Sequence, residues 1–250
     1  MTSARRSSSA SLPSSTHSAV VFVHGFAQTG QAWGPMIDVF GSANVRRVRP
    51  DMAGVGSQLD AAGPFTLERF ADDLVDTIDA AGGPVSLIAH SMGAQVAELA
   101  ATRRPSAVTS LVLLAPLPLG GLHASEEEAP VIDAEGLRAT SLQVFSTLGA
   151  LGRELATSAR QIRADVLQQH CDAFAAGHSD GEQASAFTGP VLVIPGADDE
   201  IASPTFVATH IAPRFSRVAM APIAGAGHHP HLEQPSATAS AIASFATAGS

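Results

Sequence analysis

The chain has no lysine, and Cys171 is its one cysteine. A single cysteine excludes an internal disulfide and a cysteine-based zinc site. Charge of either sign is scarce, at 15% of residues, and the fourteen bases, all arginine, face twenty-three acids for a net charge of −9. An acidic chain without a basic patch makes a poor partner for nucleic acid or for an anionic membrane. No run of about 18 apolar residues occurs, so no membrane-spanning helix is expected. The serine-rich residues 1–18 carry two arginines, no acids and no apolar h-region, which reads as a solvated tail rather than a secretory signal; an organelle transit peptide fits by composition only. Without a signal or a disulfide, the expected location is cytoplasmic. What the chain does have is apolar substance: 45% hydrophobic residues over 250 positions exclude disorder. The length suits one α/β domain, alone or with an inserted lobe, able to bury on the order of 70% of its unfolded surface.

The apolar runs are short, β-branched and evenly interrupted. Ala19-Val20-Val21-Phe22-Val23 ends in His24-Gly25 and reads as a buried parallel strand. A second strand is expected at 45–48, where Arg46, Arg47 and Arg49 suggest a place near an edge. Leu67, Phe70, Ala71, Leu74, Val75 and Ile78 mark one face of a helix that starts at Thr66 and stops at Gly82-Gly83-Pro84. Further strands are expected at 84–89, 108–114, 191–194 and 215–220, with helices at 92–103 and 236–245. Strands alternating with helices give βαβ units. The fold expected is α/β, with a mostly parallel central sheet of about six strands and helices on both faces. Roughly seventy residues, 117–188, break the alternation with helical texture and no strand. A connection that long is rarely structureless, so it reads as an inserted helical cap dividing a core of 19–116 and 189–250. Glu126-Glu127-Glu128 and Gly177-His178-Ser179-Asp180-Gly181 read as loops within it.

The segment Ala89-His90-Ser91-Met92-Gly93 sits where a buried strand runs straight into a helix. A serine there occupies a strained turn that lifts its Oγ above the strand ends, and small residues two before and two after let helix and strand pass closely. Ala89 and Gly93 meet that need, with alanine in place of the glycine of Gly-x-Ser-x-Gly. By itself the segment also reads as an ordinary helix N-cap serine. His90 should point away from the Oγ. A developing oxyanion would need two backbone N–H donors, expected from Met92 and from Phe26 in the loop His24-Gly25-Phe26-Ala27. Phe26, Trp33 and Leu117 are candidate walls of a substrate pocket, although core packing is the simpler reading of Trp33.

A carboxylate in Gly196-Ala197-Asp198-Asp199-Glu200 follows the fifth strand. Asp199, three residues after Gly196, is preferred over Asp198; either also reads as a solvated turn residue. Gly227-His228-His229-Pro230-His231 follows the sixth strand, and His228 is the candidate base. Three histidines in four positions raise the thought of a metal, but no carboxylate or cysteine cluster stands at ligand spacing, so no metal or other cofactor is expected. Ser91, Asp199 and His228 fall at strand ends in the order serine, acid, histidine.

On these segments, with Asp51-Met52-Ala53-Gly54-Val55-Gly56 and Leu232-Glu233 added, the chain resembles the α/β-hydrolase superfamily from about residue 19 to its end. The resemblance implies a cap lying over the serine and shaping the pocket. Because the first strand begins near Val20, the family's leading antiparallel hairpin is expected to be absent. Similar enzymes that open epoxides or remove halide carry aspartate at the elbow, and Ser91 argues against both. Many hydrolases of carbon–carbon bonds place asparagine where this chain has His90. The function expected is therefore a serine hydrolase of a carboxylic ester or lactone, acting through an acyl-enzyme on a small-molecule substrate. Perhydrolase or haloperoxidase-like, lyase or carbon–carbon hydrolase chemistry on the same fold stays open, as does a non-catalytic ligand-binding relative. A homodimer is an admissible assembly.

Overall fold

The computed structural model describes residues 19–40, 45–122 and 133–248. The expected tail at 1–18 and the expected acidic loop at Glu126-Glu127-Glu128 lie outside the described residues. In chain order the elements are β1 (Ala19–Val23), α1 (Gly34–Phe40), β2 (Arg46–Val48), α2 (Leu67–Ala80), β3 (Val85–His90), α3 (Met92–Arg103) and β4 (Val108–Leu114). There follow α4 (Ala134–Phe145), α5 (Gly149–Gln161), α6 (Ala164–Ala176), β5 (Val191–Ile194), α7 (Pro204–His210), β6 (Val218–Met220), α8 (Pro230–Glu233) and α9 (Pro235–Ala248).

Every residue of β1 is buried, so this strand has no face to offer water. The pleat sends Ala19, Val21 and Val23 into one apolar cluster and Val20 and Phe22 into another. The first cluster is completed by Phe70, Leu74 and Ile78 of α2 and by Val96 and Leu99 of α3. The second is completed by Met36 and Phe40 of α1 and Ala239 and Ile242 of α9. A strand apolar on both sides requires helices on both sides, which is why a parallel sheet follows from the sequence pattern. Ser86 and Ser110 are polar residues buried inside the sheet, and their hydroxyls hydrogen-bond to each other across β3 and β4. Thr66 caps α2, its Oγ1 accepting from the Arg69 N–H at 3.2 Å.

The six strands lie in the order β2-β1-β3-β4-β5-β6, every pair parallel. The chain leaves β1 toward one edge, then returns to place β3 on β1's other side. Strand order reverses there, and the crevice beyond the carboxyl ends of β1 and β3 is where open α/β sheets bind ligands. Several expected boundaries move: β3 is Val85–His90 and not 84–89, and α9 is Pro235–Ala248 and not 236–245. β2 starts at Arg46, one residue late. β6 is Val218–Met220 and not 215–220, because the Phe215 N–H is spent closing a turn on the Ala212 carbonyl and its ring is buried. Among the described residues between β4 and β5 stand α4, α5 and α6, with a 3₁₀ turn at Ser179–Glu182 that overlaps the expected loop. Among the described residues, no helix is long and apolar enough to cross a membrane.

Candidate active site

Ser91 is the residue between β3 and α3. Its φ of 53° lies in the left-handed region that serine rarely occupies. The turn is held by two backbone bonds, the Ser91 N–H to the Leu114 carbonyl (3.0 Å) and the Ala94 N–H to the Ser91 carbonyl (2.9 Å). It also depends on Gly93, where a Cβ would lie 2.4 Å from the His24 carbonyl oxygen. The alanine at 89 is fully buried in β3 without disturbing the turn.

The loops after β5 and β6 are joined backbone to backbone. The Ala197 N–H donates to the Ile223 carbonyl (2.8 Å) and the Asp198 N–H to the Ala226 carbonyl (2.9 Å). Gly196 makes this approach possible, since a Cβ there would meet the Gly227 oxygen at 2.0 Å. The result is a hydrogen-bonded chain. His228 Nε2 is 3.0 Å from Ser91 Oγ, and His228 Nδ1 is 2.9 Å from Asp199 Oδ2. The other Asp199 oxygen accepts from the N–H groups of Ile201 (2.8 Å) and Ala202 (3.0 Å). Burial alone would raise the Asp199 pKa; the hydrogen bond and charge of His228, with those two N–H donors, outweigh it and hold the carboxyl below its ordinary range. An ionised Asp199 accepts the Nδ1 proton and leaves Nε2 free to accept from the serine hydroxyl. Asp198 is exposed and makes no hydrogen bond to His228.

Two residues that sequence reasoning did not assign hold the histidine in place. Glu233, in α8, accepts from the Gly227 N–H (2.7 Å) and the His229 N–H (2.8 Å), one on each side of His228. His90 donates from Nε2 to the His228 carbonyl at 2.7 Å, and its ring packs against Gly25, where a Cβ would sit 2.6 Å from Nδ1. His90 therefore touches the loop after β1 and the loop after β6 together. Burial, and then the neighbouring His231, His229 and His228, push its pKa well below 6.5, so it is neutral. The five-residue offset from His228 to Glu233 was a readable signal for the first clamp; nothing local announced the second.

Phe26 and Met92 flank the serine, and neither backbone N–H has an acceptor among the described residues. Gln28 Oε1 accepts from the Gly25 N–H at 3.3 Å and shapes the loop. His24 fixes the loop below: its Nδ1 donates to the Gly25 carbonyl (2.9 Å) and its Nε2 accepts from the Met52 N–H (3.0 Å). Asp51 ties the same region together, accepting from the N–H groups of Gly30 (2.7 Å) and Ser57 (2.8 Å).

Above Ser91 is a cavity of about 610 Å³. Phe26 and Leu117 line it, with Leu122, Leu137 and Val144 on the apolar side and Phe174 of α6 edge-on to Phe26 at 5.5 Å. Trp33 does not line it, which corrects the expectation that it would. The turn Gly30–Trp33 carries the indole to the far side of the sheet, where it packs on Phe22 (5.4 Å) and His231 (4.6 Å) with no exposure. Among the described residues no group of three or more His, Cys, Asp or Glu side chains is arranged to hold an ion.

The sequence model of the alpha/beta hydrolase family matches residues 20–241. The chain belongs to this family, and it is an enzyme. It is 28% identical to the non-heme chloroperoxidase CPO-A1 of Kitasatospora aureofaciens over 205 residues, 73% of this chain and 74% of that one. Among solved structures it is similar to the enol-lactonase of Burkholderia xenovorans LB400, with a TM-score of 0.77 at 18% identity, covering 93% of this chain and 92% of that one. A thermophilic esterase from Thermogutta terrifontis superposes with a TM-score of 0.69 at 22% identity, covering 93% and 90%. At such identities the superpositions speak for the fold.

Proposed function

We propose that the enzyme is a serine hydrolase that cleaves a carboxylic ester or lactone of a small to medium, partly apolar substrate. The observation that carries this is the hydrogen-bonded chain Ser91–His228–Asp199 at the floor of an apolar cavity. His228 takes the serine proton as Oγ attacks the carbonyl carbon. The Phe26 and Met92 N–H groups receive the oxyanion. The C–O bond to the alcohol then breaks, with His228 returning its proton to the leaving oxygen. Water, deprotonated by the same histidine, cleaves the acyl-enzyme and regenerates Ser91. None of these steps calls for a metal or organic cofactor. The helices α4 and α6 act as the cap: Leu137 and Val144 from one and Phe174 from the other set how long an acyl or alcohol chain fits.

The test is steady-state hydrolysis of p-nitrophenyl esters from acetate to longer acyl chains, by wild type and Ser91→Ala. Turnover confined to the wild type supports the reading, and its chain-length optimum sizes the cavity. A folded wild type that turns over none of them overturns it. The likeness to a non-heme chloroperoxidase favours one second reading. Hydrogen peroxide in place of water would attack the acyl-enzyme and release a peracid, which oxidises halide. Acid- and peroxide-dependent halogenation that Ser91→Ala abolishes would support that reading.

A further inference from the structure

The cavity over Ser91 is apolar on one wall and acidic at its rim, and among the described residues no arginine lines it. Four carboxylates line it: Asp198, Asp199, Glu200 and Glu233. Two of these have structural employment. Asp199 accepts from His228 and two backbone N–H groups, and Glu233 accepts from the N–H groups on either side of His228. Asp198 and Glu200 differ. Both are exposed, and neither side chain has an ion-pair or hydrogen-bond partner among the described residues. Ile201 follows them on the same rim with 48% of its surface exposed, the largest exposure among the described large apolar side chains. The mouth therefore joins two unneutralised negative charges to an apolar shelf.

We infer that Asp198 and Glu200 select the substrate by charge, admitting neutral or ammonium-bearing esters and turning away those that carry a second carboxylate. This rests on the hydrolase reading of Ser91. The physical reason is that a carboxylate entering the mouth meets two like charges, with no arginine among the described lining residues and no lysine in the chain to offset them. An ammonium group would instead sit between them with its methyl or methylene groups on Ile201. For a unit charge about 8 Å from each of two exposed carboxylates, water's dielectric gives roughly a fivefold effect at low ionic strength, falling to about twofold at 0.1 M salt. Cation and anion move in opposite directions, so the contrast between them is roughly 25-fold at low salt.

The test compares three thioesters of one acyl chain: butyrylthiocholine, its neutral isostere S-(3,3-dimethylbutyl) thiobutyrate, and the anion S-butyryl-3-mercaptopropionate. At low ionic strength kcat/KM should fall in that order. The spread should shrink with added salt and flatten in Asp198→Asn/Glu200→Gln. In parallel, Ser91→Ala protein, which leaves the cavity intact without the hydroxyl, is titrated with hexyltrimethylammonium, hexanol and hexanoate by calorimetry or ligand-observed NMR. Turnover of all three thioesters with no charge ranking, or with the anion preferred, overturns the inference and leaves the hydrolase reading standing. A ranking that the double variant does not flatten also overturns it, since the discrimination would then lie elsewhere. No turnover, with the cation still binding best, overturns the hydrolase reading and supports charge selection. No turnover and no ranking in binding overturns both.

Discussion

The cleft has two walls built on different principles. One consists of strand ends and the turns that follow them, joined by backbone hydrogen bonds: Ser91 to β4, Ala197 and Asp198 to the loop after β6, and Gly227 and His229 to Glu233. The other consists of α4 and α6, which meet the cleft mainly through Leu137, Val144 and Phe174. Its polar ties to the core are fewer, as where Gln95 donates from Nε2 to the carbonyls of Pro118 (2.6 Å) and Phe174 (3.0 Å). Directional bonds fix atoms to within tenths of an ångström, which proton transfer needs. Apolar contacts fix volume, which is what sorting acyl chains needs. Substitutions on the first wall should therefore change rate, and those on the second should change preference.

Substitutions at the serine and the histidine should cost the most. Ser91→Ala and His228→Ala should each remove about 10³-fold or more of kcat, and the double variant should lose little beyond either, because the two act as one unit. A nearly multiplicative loss would mean that they do not share a proton. Next, Asp199→Asn should cost about 10²-fold or more while Asp198→Asn on a neutral ester costs far less, since Asp199 alone bonds His228. The reverse ranking would move the acid. On the same wall, His90→Phe should lower kcat about tenfold with little change in KM, by releasing the His228 carbonyl, and His90→Asn, which keeps an N–H donor, should recover part of it. A parallel fall in thermal stability without any such rescue would make His90 a packing residue only. Val144→Phe, on the other wall, should move the acyl optimum to shorter chains and leave acetate turnover within about threefold.

The smallest effect near neutrality is on stability, and it grows with acid. His24, His90, His170, His229 and His231 are buried, and burial lowers the pKa of each from 6.5, to about 4 for His170 and to about 3 for His229. In the unfolded chain they bind protons near pH 6.5, which the folded protein refuses. Stability is thus fully present above about 6.5 and is lost as pH falls below it, toward 4 and 3 for the two histidines with those values. Each such histidine contributes a slope of about 1.4 kcal/mol per pH unit within its window. Urea midpoints measured from pH 7.5 to 5 should fall steeply below 6.5, and His231→Phe should flatten the curve. A midpoint independent of pH across that range would show that these rings are not held neutral.

Much of this was legible in the residues themselves. The buried run at β1, the helix face from Leu67 to Ile78 and the boundaries of α3 and β4 follow from periodicity, since backbone and hydrophobic preferences act over a few neighbours. Ser91, Asp199 and His228 could be picked out because each follows an apolar strand and has a glycine within three residues. Trp33 could not be placed by such reasoning. It is only a few residues from Phe26, yet one turn of 3₁₀ helix sends it to the opposite face of the sheet. Phe215 looked like strand for its apolar character, but its N–H was committed to a turn. His90 and His231 read as polar residues near a site, and both are fully buried, with centroids 4.5 Å apart.

Spacing and composition leave local traces of the alternation of strand and helix, of the insertion after β4 and of the three residues proposed for acyl transfer. The tertiary structure alone decided which carboxylate meets His228, which backbone groups clamp it, and which side chains face the cavity. Those outcomes depend on contacts between residues 29 and 138 positions apart, such as Asp199 with His228 and His90 with the His228 carbonyl. Such contacts are set by how the strands order themselves in the sheet, and no short stretch of chain encodes that order.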